Sequence, residues 1–340
     1  MVARALVAVL LTGTLPAMAE KPPQPFGAER LASFQTDVMS FRPPTLGGRQ
    51  FWADQLVLHD WRIQQNVFTG HSRLLDPSDR RVASGGYDEC RDRFETIQAE
   101  QQIPSLKPRT VVLLHGLWRS RGAMRPLQEH LSQNDAWSVI SVEYPSTRAT
   151  VGEHAAVLKR VVDNLEGVDQ IDFVCHSLGN LVVRRWLHDY YLPACEALPA
   201  DGGSGPPRLG RMVMLGPPNN RPELAGWVVP LDVTGQVYGP SGRQLNDKWD
   251  ELAPTLTVPP CEFGILAGGN AKSGRNPLIP GDDDLVVTVD NTRLAGAADF
   301  RVVPAIHTLL MGHPDVQAMT ERFLLEGSFE GSGQRQPIAE

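Results

Sequence analysis

Ile171-Asp172-Phe173-Val174-Cys175-His176-Ser177-Leu178-Gly179-Asn180-Leu181-Val182-Val183-Arg184-Arg185-Trp186 is the stretch whose reading decides the fold. Its first part is an apolar run of strand length, and its last part repeats apolar residues at helical spacing. Only a few residues around Ser177 are left for the change of direction. The stretch therefore predicts a buried strand, a sharp turn and a helix whose first turn starts just after Ser177. A serine there has its hydroxyl pushed clear of the sheet edge, and the free N–H groups of the helix start face whatever it attacks. The competing reading is a serine that merely caps the helix. Cys175 two residues before and Gly179 two after are small, as a crowded strand-to-helix turn requires, and they favour the nucleophile.

Working outward, Val111-Val112-Leu113-Leu114 is a continuous apolar run, and Ser138–Val142, Met212–Leu215, Phe263–Ala267 and Phe300–Val303 read as further short strands. Such a run fits a parallel strand covered on both faces. Between them, Met124, Leu127 and Leu131, then Val151, Ala155, Leu158, Val162 and Leu165, fall at helical spacing, and a last helix begins at Pro314. Alternating strands and helices predict an α/β fold with a mostly parallel central sheet and helices on both faces. Residues 20–105 precede this pattern as an N-terminal extension. It has a Pro/Gly-rich lead-in, one or two strands within Phe51–Phe68, and a short amphipathic helix carrying Cys90, Phe94 and Ile97. Residues 106–328 form the main domain, with an insert around 217–258. Residues 329–340 follow a Gly/Ser-rich stretch and read as a mobile tail.

Ligands of open parallel sheets sit beyond the carboxyl ends of the strands, so the residues after each strand carry the functional reading. After the first core strand come His115-Gly116-Leu117-Trp118. Gly116 lets the backbone pass close to the site, and the N–H of Leu117, with that of Leu178 after the serine, can face a developing oxyanion. The bland alternative is a plain turn with His115 packed and silent. A serine also needs a base, and the base an orienting acid. His176 adjoins the serine, but on so tight a turn it is expected to point elsewhere. His307, between the last strand and the last helix, is the better base, and His313 reads as a helix-start residue. Asp282-Asp283-Asp284 supply acids, and a calcium loop is disfavoured because the regular spacing with a central Gly is missing. Asp284 directly precedes an apolar run and is the first choice; Asp283 stays open, and Asp290 is a third.

The segments Leu113–Leu117, Cys175–Leu181, Asp284–Val287 and Ala305-Ile306-His307 resemble the α/β-hydrolase family, in particular its bacterial lipase and esterase branch. The similarity covers roughly residues 106–326. Two positions depart from the family pattern: Cys175 stands for the first glycine of G-x-S-x-G, and Leu285 for a glycine often found after the acid. The resemblance implies ester hydrolysis through an acyl-enzyme, with Ser177, His307 and Asp284 as the triad, oxyanion donors at Leu117 and Leu178, no cofactor and no metal. The substrate would be a small-molecule or lipid ester, with transient contact to a lipid surface and no evident protein partner. A thioesterase or amidase using the same triad is the alternative within enzymes, and a silent hydrolase-fold binding protein the alternative outside them. Trp118 is a pocket candidate. Trp227, Tyr238 and Trp249 either line an acyl pocket or pack the insert.

Composition sets outer bounds. The chain has 340 residues, net charge −7 and 41% hydrophobic residues, ordinary values for a globular protein. Its acidity and the lack of a basic cluster with interleaved aromatics argue against nucleic-acid binding. Residues 1–19 combine Arg4, an apolar run from Ala5 to Leu15 and a small-residue ending at Ala19, which reads as an export signal cleaved near Ala19. Export permits disulfides. Cys175 is expected to be buried and unpaired, which leaves room for one bridge among Cys90, Cys195 and Cys261.

Overall fold

Val111, Val112, Leu113 and Leu114 are all fully buried, and the residues of this strand alternate between two separate apolar layers. Val112 and Leu114 join one core cluster, Val111 and Leu113 the other. The same division runs through the neighbouring strands, so both faces of the sheet are covered. This explains why the strands carry no polar alternation. The computed structural model describes residues 48–198, 205–221, 239–269 and 281–339. The proposed signal, most of the lead-in, Trp227 and Tyr238 lie outside those residues.

The chain begins with a four-stranded antiparallel sheet: β1 (Trp52–Leu58), β2 (Trp61–Asn66), β3 (Ser72–Leu75) and β4 (Arg81–Gly85). Helix α1 (Tyr87–Gln101) follows. The first two strands fall where the sequence predicts them. β3 and β4 are four and five residues long, too short for alternation to be read. Cys90, Phe94 and Ile97 of α1 bury against Leu56, Ile63 and Leu74. The opposite side of β1 turns Ala53 and Val57 into the main core.

The second sheet contains β5 (Arg109–Leu114), β6 (Ser138–Val142), β7 (Gln170–His176), β8 (Arg208–Leu215), β9 (Phe263–Gly268) and β10 (Asp299–Val303). Its order is β10-β9-β8-β7-β5-β6 and every pairing is parallel. Helices α2 (Arg125–Leu131) and α5 (Pro314–Glu326) cover one face, and α3 (Val151–Asp163) and α4 (Leu178–Trp186) the other. Helix α3 starts with a capping box: Glu153 N–H donates to Thr150 Oγ1 at 3.2 Å, and Thr150 N–H to Glu153 Oε2 at 2.7 Å. Asp172, the one charge in the apolar run of β7, is buried and accepts two bonds from Arg109 at 2.6 and 3.2 Å. Among the described residues, no helix is long and apolar enough to cross a membrane.

Two expectations are corrected, and one alternative is decided. The tail is docked. Phe329 is fully buried against Phe323, and Asp299 accepts the N–H groups of Phe329 and Gln336 at 2.8 and 2.9 Å. Ile338 exchanges two backbone bonds with Gly296 and Ala297. The expected bridge is absent: all four cysteines are free thiols. Trp249 is buried in the core cluster below α4, so of the two readings for it, packing holds.

Candidate active site

β7 brings His176 to the carboxyl edge of the sheet, and the chain reverses into α4 at Ser177. The serine has φ 51° and ψ −119°, a strained conformation for a residue with a side chain, of the kind that places a nucleophile on a strand-to-helix turn. Several bonds hold it. Its N–H donates to Leu215 O at 2.9 Å, and Asn180 donates to its carbonyl from both main chain and side chain at 3.1 and 2.9 Å. Its side chain makes no capping bond to α4, so capping does not explain the serine. A Cβ on Gly179 would meet Leu114 O at 2.8 Å, so α4 can begin this close to β5 only without a side chain there. Cys175, at the other small position, is fully buried in the core.

The turn after β5 runs against the serine. A Cβ on Gly116 would lie 3.0 Å from Ser177 Cβ and 2.9 Å from His176 Nδ1. Leu117 is buried, and Trp118, with φ 63°, reverses the chain and is 49% exposed. Leu178, the first residue of α4, is fully buried.

His307 opens the turn that leads from β10 towards α5. Its Nδ1 is 2.7 Å from Asp284 Oδ2, and its N–H donates to Asp284 O at 2.9 Å. The second carboxylate oxygen, Oδ1, accepts the N–H groups of Val286 and Val287 at 3.0 and 2.7 Å. Both side chains are buried. With a carboxylate facing Nδ1, the neutral ring keeps its proton there and presents a lone pair at Nε2. That nitrogen makes no hydrogen bond to the described residues. Asp283 is also fully buried, but its Oδ1 accepts the N–H of Leu285 at 2.7 Å, and the bond to His307 comes from Asp284. Asp290 is exposed and paired with Arg293. His313 is the N-cap of α5 and accepts from Asp315 N–H at 3.3 Å.

Two features were not visible in the sequence. His176 does not point away from the site. Its Nε2–H donates to His307 O at 3.0 Å, and the two rings lie 4.6 Å apart. Burial, helped by the neighbouring His307, holds its pKa well below the usual imidazole range, so the ring is neutral. His176 is the last residue of β7, so strand alternation sends its side chain to the face opposite Cys175, and what stands on that face is set by the tertiary fold. The second feature is Leu285, whose φ of 82° is one that glycine adopts freely. The residue departs from the expected glycine while the backbone keeps its shape. Among the described residues no cluster of three or more His, Cys, Asp or Glu has a metal-holding arrangement.

The family model described as "Alpha/beta hydrolase family" matches residues 111–323. No curated protein matches the chain in sequence. Among solved structures, a gene product of Listeria innocua is 19% identical over 68% of this chain and 97% of its own, with a TM-score of 0.43. A metagenomic carboxyl esterase is 16% identical over 60% of this chain and 65% of its own, with a TM-score of 0.40. An esterase from Thermogutta terrifontis is 18% identical over 64% and 90%, also with a TM-score of 0.40.

Proposed function

The chain belongs to the alpha/beta hydrolase family, and from that premise we propose that it is an exported serine hydrolase acting on carboxylic esters. The observation that carries the reading is the 2.7 Å contact between Asp284 Oδ2 and His307 Nδ1, with the carboxylate fixed by two backbone N–H groups and the strained Ser177 turn alongside. In this reading Ser177 Oγ adds to the ester carbonyl carbon as its proton passes to His307 Nε2. The carbonyl electron pair moves onto oxygen, which the N–H groups of Leu117 and Leu178 receive. As the tetrahedral species collapses, the C–O bond breaks and the alcohol leaves with the proton from His307. Water then attacks the acyl-enzyme, giving one proton to His307, and the acid departs as that proton returns to Ser177. Asp284 stays ionised and steadies the imidazolium. Loss of one oxyanion donor would cost about 2.7–4 kcal/mol of transition-state stabilisation.

The apolar side chains of Trp118, Leu285 and Leu309 are exposed, each one or two residues from a member of this set. They support an ester with an apolar portion, a lipid ester included. The proposed export rests on residues 1–19, and the acidic net charge speaks against a nucleic-acid substrate.

Fluorophosphonate labelling tests the core of the reading. The wild type should take up label and Ser177→Ala should not; labelling that survives the substitution, or none in the wild type, defeats it. A series of p-nitrophenyl esters of increasing chain length, beside matched thioesters and amides, tests the substrate class. Faster turnover of thioester or amide than of ester would replace carboxylic esters as substrate.

A further inference from the structure

We propose that the N-terminal sheet positions the oxyanion turn, through the buried side chains of Asp54, Glu143 and His115. The proposal rests on the hydrolase reading, because it takes the Leu117 N–H as an oxyanion donor. A peptide unit is planar and trans, so the Gly116 carbonyl and the Leu117 N–H, which share one unit, point in opposite directions. Whatever holds Gly116 O therefore aims the Leu117 N–H. Two donors hold it: His115 Nδ1 at 2.9 Å and Arg119 N–H at 3.2 Å. A carbonyl only accepts, so Nδ1 of His115 carries a proton.

The His115 ring is fixed in turn. It stacks on Tyr144 at 4.1 Å with the planes 8° apart, and the Tyr144 hydroxyl donates to His115 O. Its Nε2 accepts Tyr144 N–H at 3.5 Å, and Glu143 Oε1 packs 3.5 Å from the same nitrogen without a hydrogen bond to the described residues. The other Glu143 oxygen accepts Arg121 N–H at 3.0 Å. The Glu143–Tyr144 segment thus meets the loop at its histidine, through Tyr144 N–H, and again six residues later, through the Glu143 carboxylate.

Glu143 is anchored by the N-terminal sheet. Asp54 N–H donates to Glu143 O at 3.0 Å, and Glu143 N–H donates to Asp54 Oδ2 at 2.7 Å. Asp54 is held within its own sheet by Arg62 Nη1 and Gln64 Nε2, each at 2.8 Å. Gln64 sits opposite Asp54 in the β1–β2 register, and Arg62 lies two residues along the same face. All four side chains are buried, as is His115. Gln50, just before β1, adds a separate contact, donating to Arg119 O at 3.0 Å. The sheet and the segment before it therefore meet the oxyanion turn at independent points, although both precede the matched family region.

The test separates the two nitrogens of His115. In His115→Asn the amide nitrogen can stand near the place of Nδ1 and still donate to Gly116 O; in His115→Gln it stands nearer the place of Nε2 and cannot. His115→Gln is expected to lower kcat about 100-fold with KM nearly unchanged, as a misplaced catalytic donor does. His115→Asn should recover most of that loss, and a boronic-acid transition-state analogue should follow kcat in its affinity. Equal losses in the two variants, or losses that appear in KM, would overturn the proposal.

Glu143→Gln should lower kcat about tenfold alone and little further in the His115→Gln background, because both act through one turn; additive losses break the relay. Asp54→Asn, with a native melting transition as control, should resemble Glu143→Gln. If it does not fold, Gln64→Met replaces it, with the same split between kcat and KM expected, and no change in kcat would remove the sheet from the relay. A wild type that neither hydrolyses esters nor takes label would defeat the hydrolase reading. An active wild type beside a fully active His115→Gln would defeat this proposal alone.

Discussion

The molecule contains two buried carboxylate–histidine contacts at the carboxyl edge of one sheet, and they are built differently. In the first, Asp284 Oδ2 meets His307 Nδ1 at 2.7 Å, and Nε2 is left without a hydrogen bond to the described residues. In the second, Glu143 Oε1 stands 3.5 Å from His115 Nε2 without a hydrogen bond to the described residues, Nε2 accepts Tyr144 N–H at 3.5 Å, and Nδ1 donates to the Gly116 carbonyl. A histidine that is to accept a proton must have one nitrogen oriented and the other open. His307 meets that requirement. His115 has both nitrogens committed inside the fold and a stacked tyrosine over its face, so it suits positioning rather than proton transfer. The residue types alone do not separate these roles; the location of the second nitrogen does.

The sharpest way to break the comparison is to remove the charge of the first pair. Asp284→Asn keeps the shape but turns an acceptor for His307 Nδ1–H into an amide, and kcat is expected to fall about 10⁴-fold. Asp283→Asn should leave kcat within about tenfold of wild type and act mainly on stability, because its carboxylate holds a turn rather than the histidine. Steady-state kinetics on one activated ester decide the matter, and the opposite ranking would transfer the role to Asp283.

A second prediction concerns stability on the side of the second pair. His154 lies under Tyr144, with ring centroids 4.8 Å apart, and burial, helped by the nearby His115, lowers its pKa to about 3. The unfolded chain binds a proton at this residue near pH 6.5, so between pH 6.5 and about 3 the unfolded state holds the extra proton. The stabilising effect of the neutral ring is thus complete above pH 6.5 and declines as pH falls, by about 1.4 kcal/mol per pH unit. His154→Phe should flatten the dependence of unfolding free energy on pH by about that slope between pH 6 and 4, as measured by urea titration. An unchanged slope would mean that His154 is protonated in the native state.

How far the sequence revealed these pairs follows from what fixes each one. The parallel sheet was legible because strands covered on both faces must be continuously apolar, and Ser177 because a strand, a turn and a helix meet there within a few residues. His307 followed from its place after the last strand. The Asp54–Glu143–His115 contacts were not legible: Asp54 and Glu143 are 89 residues apart, and only the antiparallel register brings Arg62 and Gln64 to Asp54. Charged residues in a strand ordinarily read as a solvated face, and here the opposite holds. The docked tail was hidden similarly, since Gly and Ser dominated its reading while Phe329 and the buried Asp299 fixed it.

Leu285 carries the smallest expected effect and tests why the acid loop tolerates a departure from glycine. At φ 82° a leucine bears a backbone cost of about 1–2 kcal/mol. Leu285→Gly removes that cost but enlarges the freedom of the unfolded chain, which takes back about 0.5–1 kcal/mol. The side chain is 39% exposed, so its loss gives up only part of a leucine's burial. The balance should be a stability change within about 1 kcal/mol of zero, read from urea midpoints. Turnover of a short ester should stay within about twofold, because Asp284 is oriented by the N–H groups of Val286 and Val287 and not by this side chain. A higher KM confined to long-chain esters would place Leu285 against the substrate and explain the leucine there. A fall in kcat for all esters would instead show that the loop needs the leucine to hold Asp284, and the first pair would then be less independent of its surroundings than its short bond suggests.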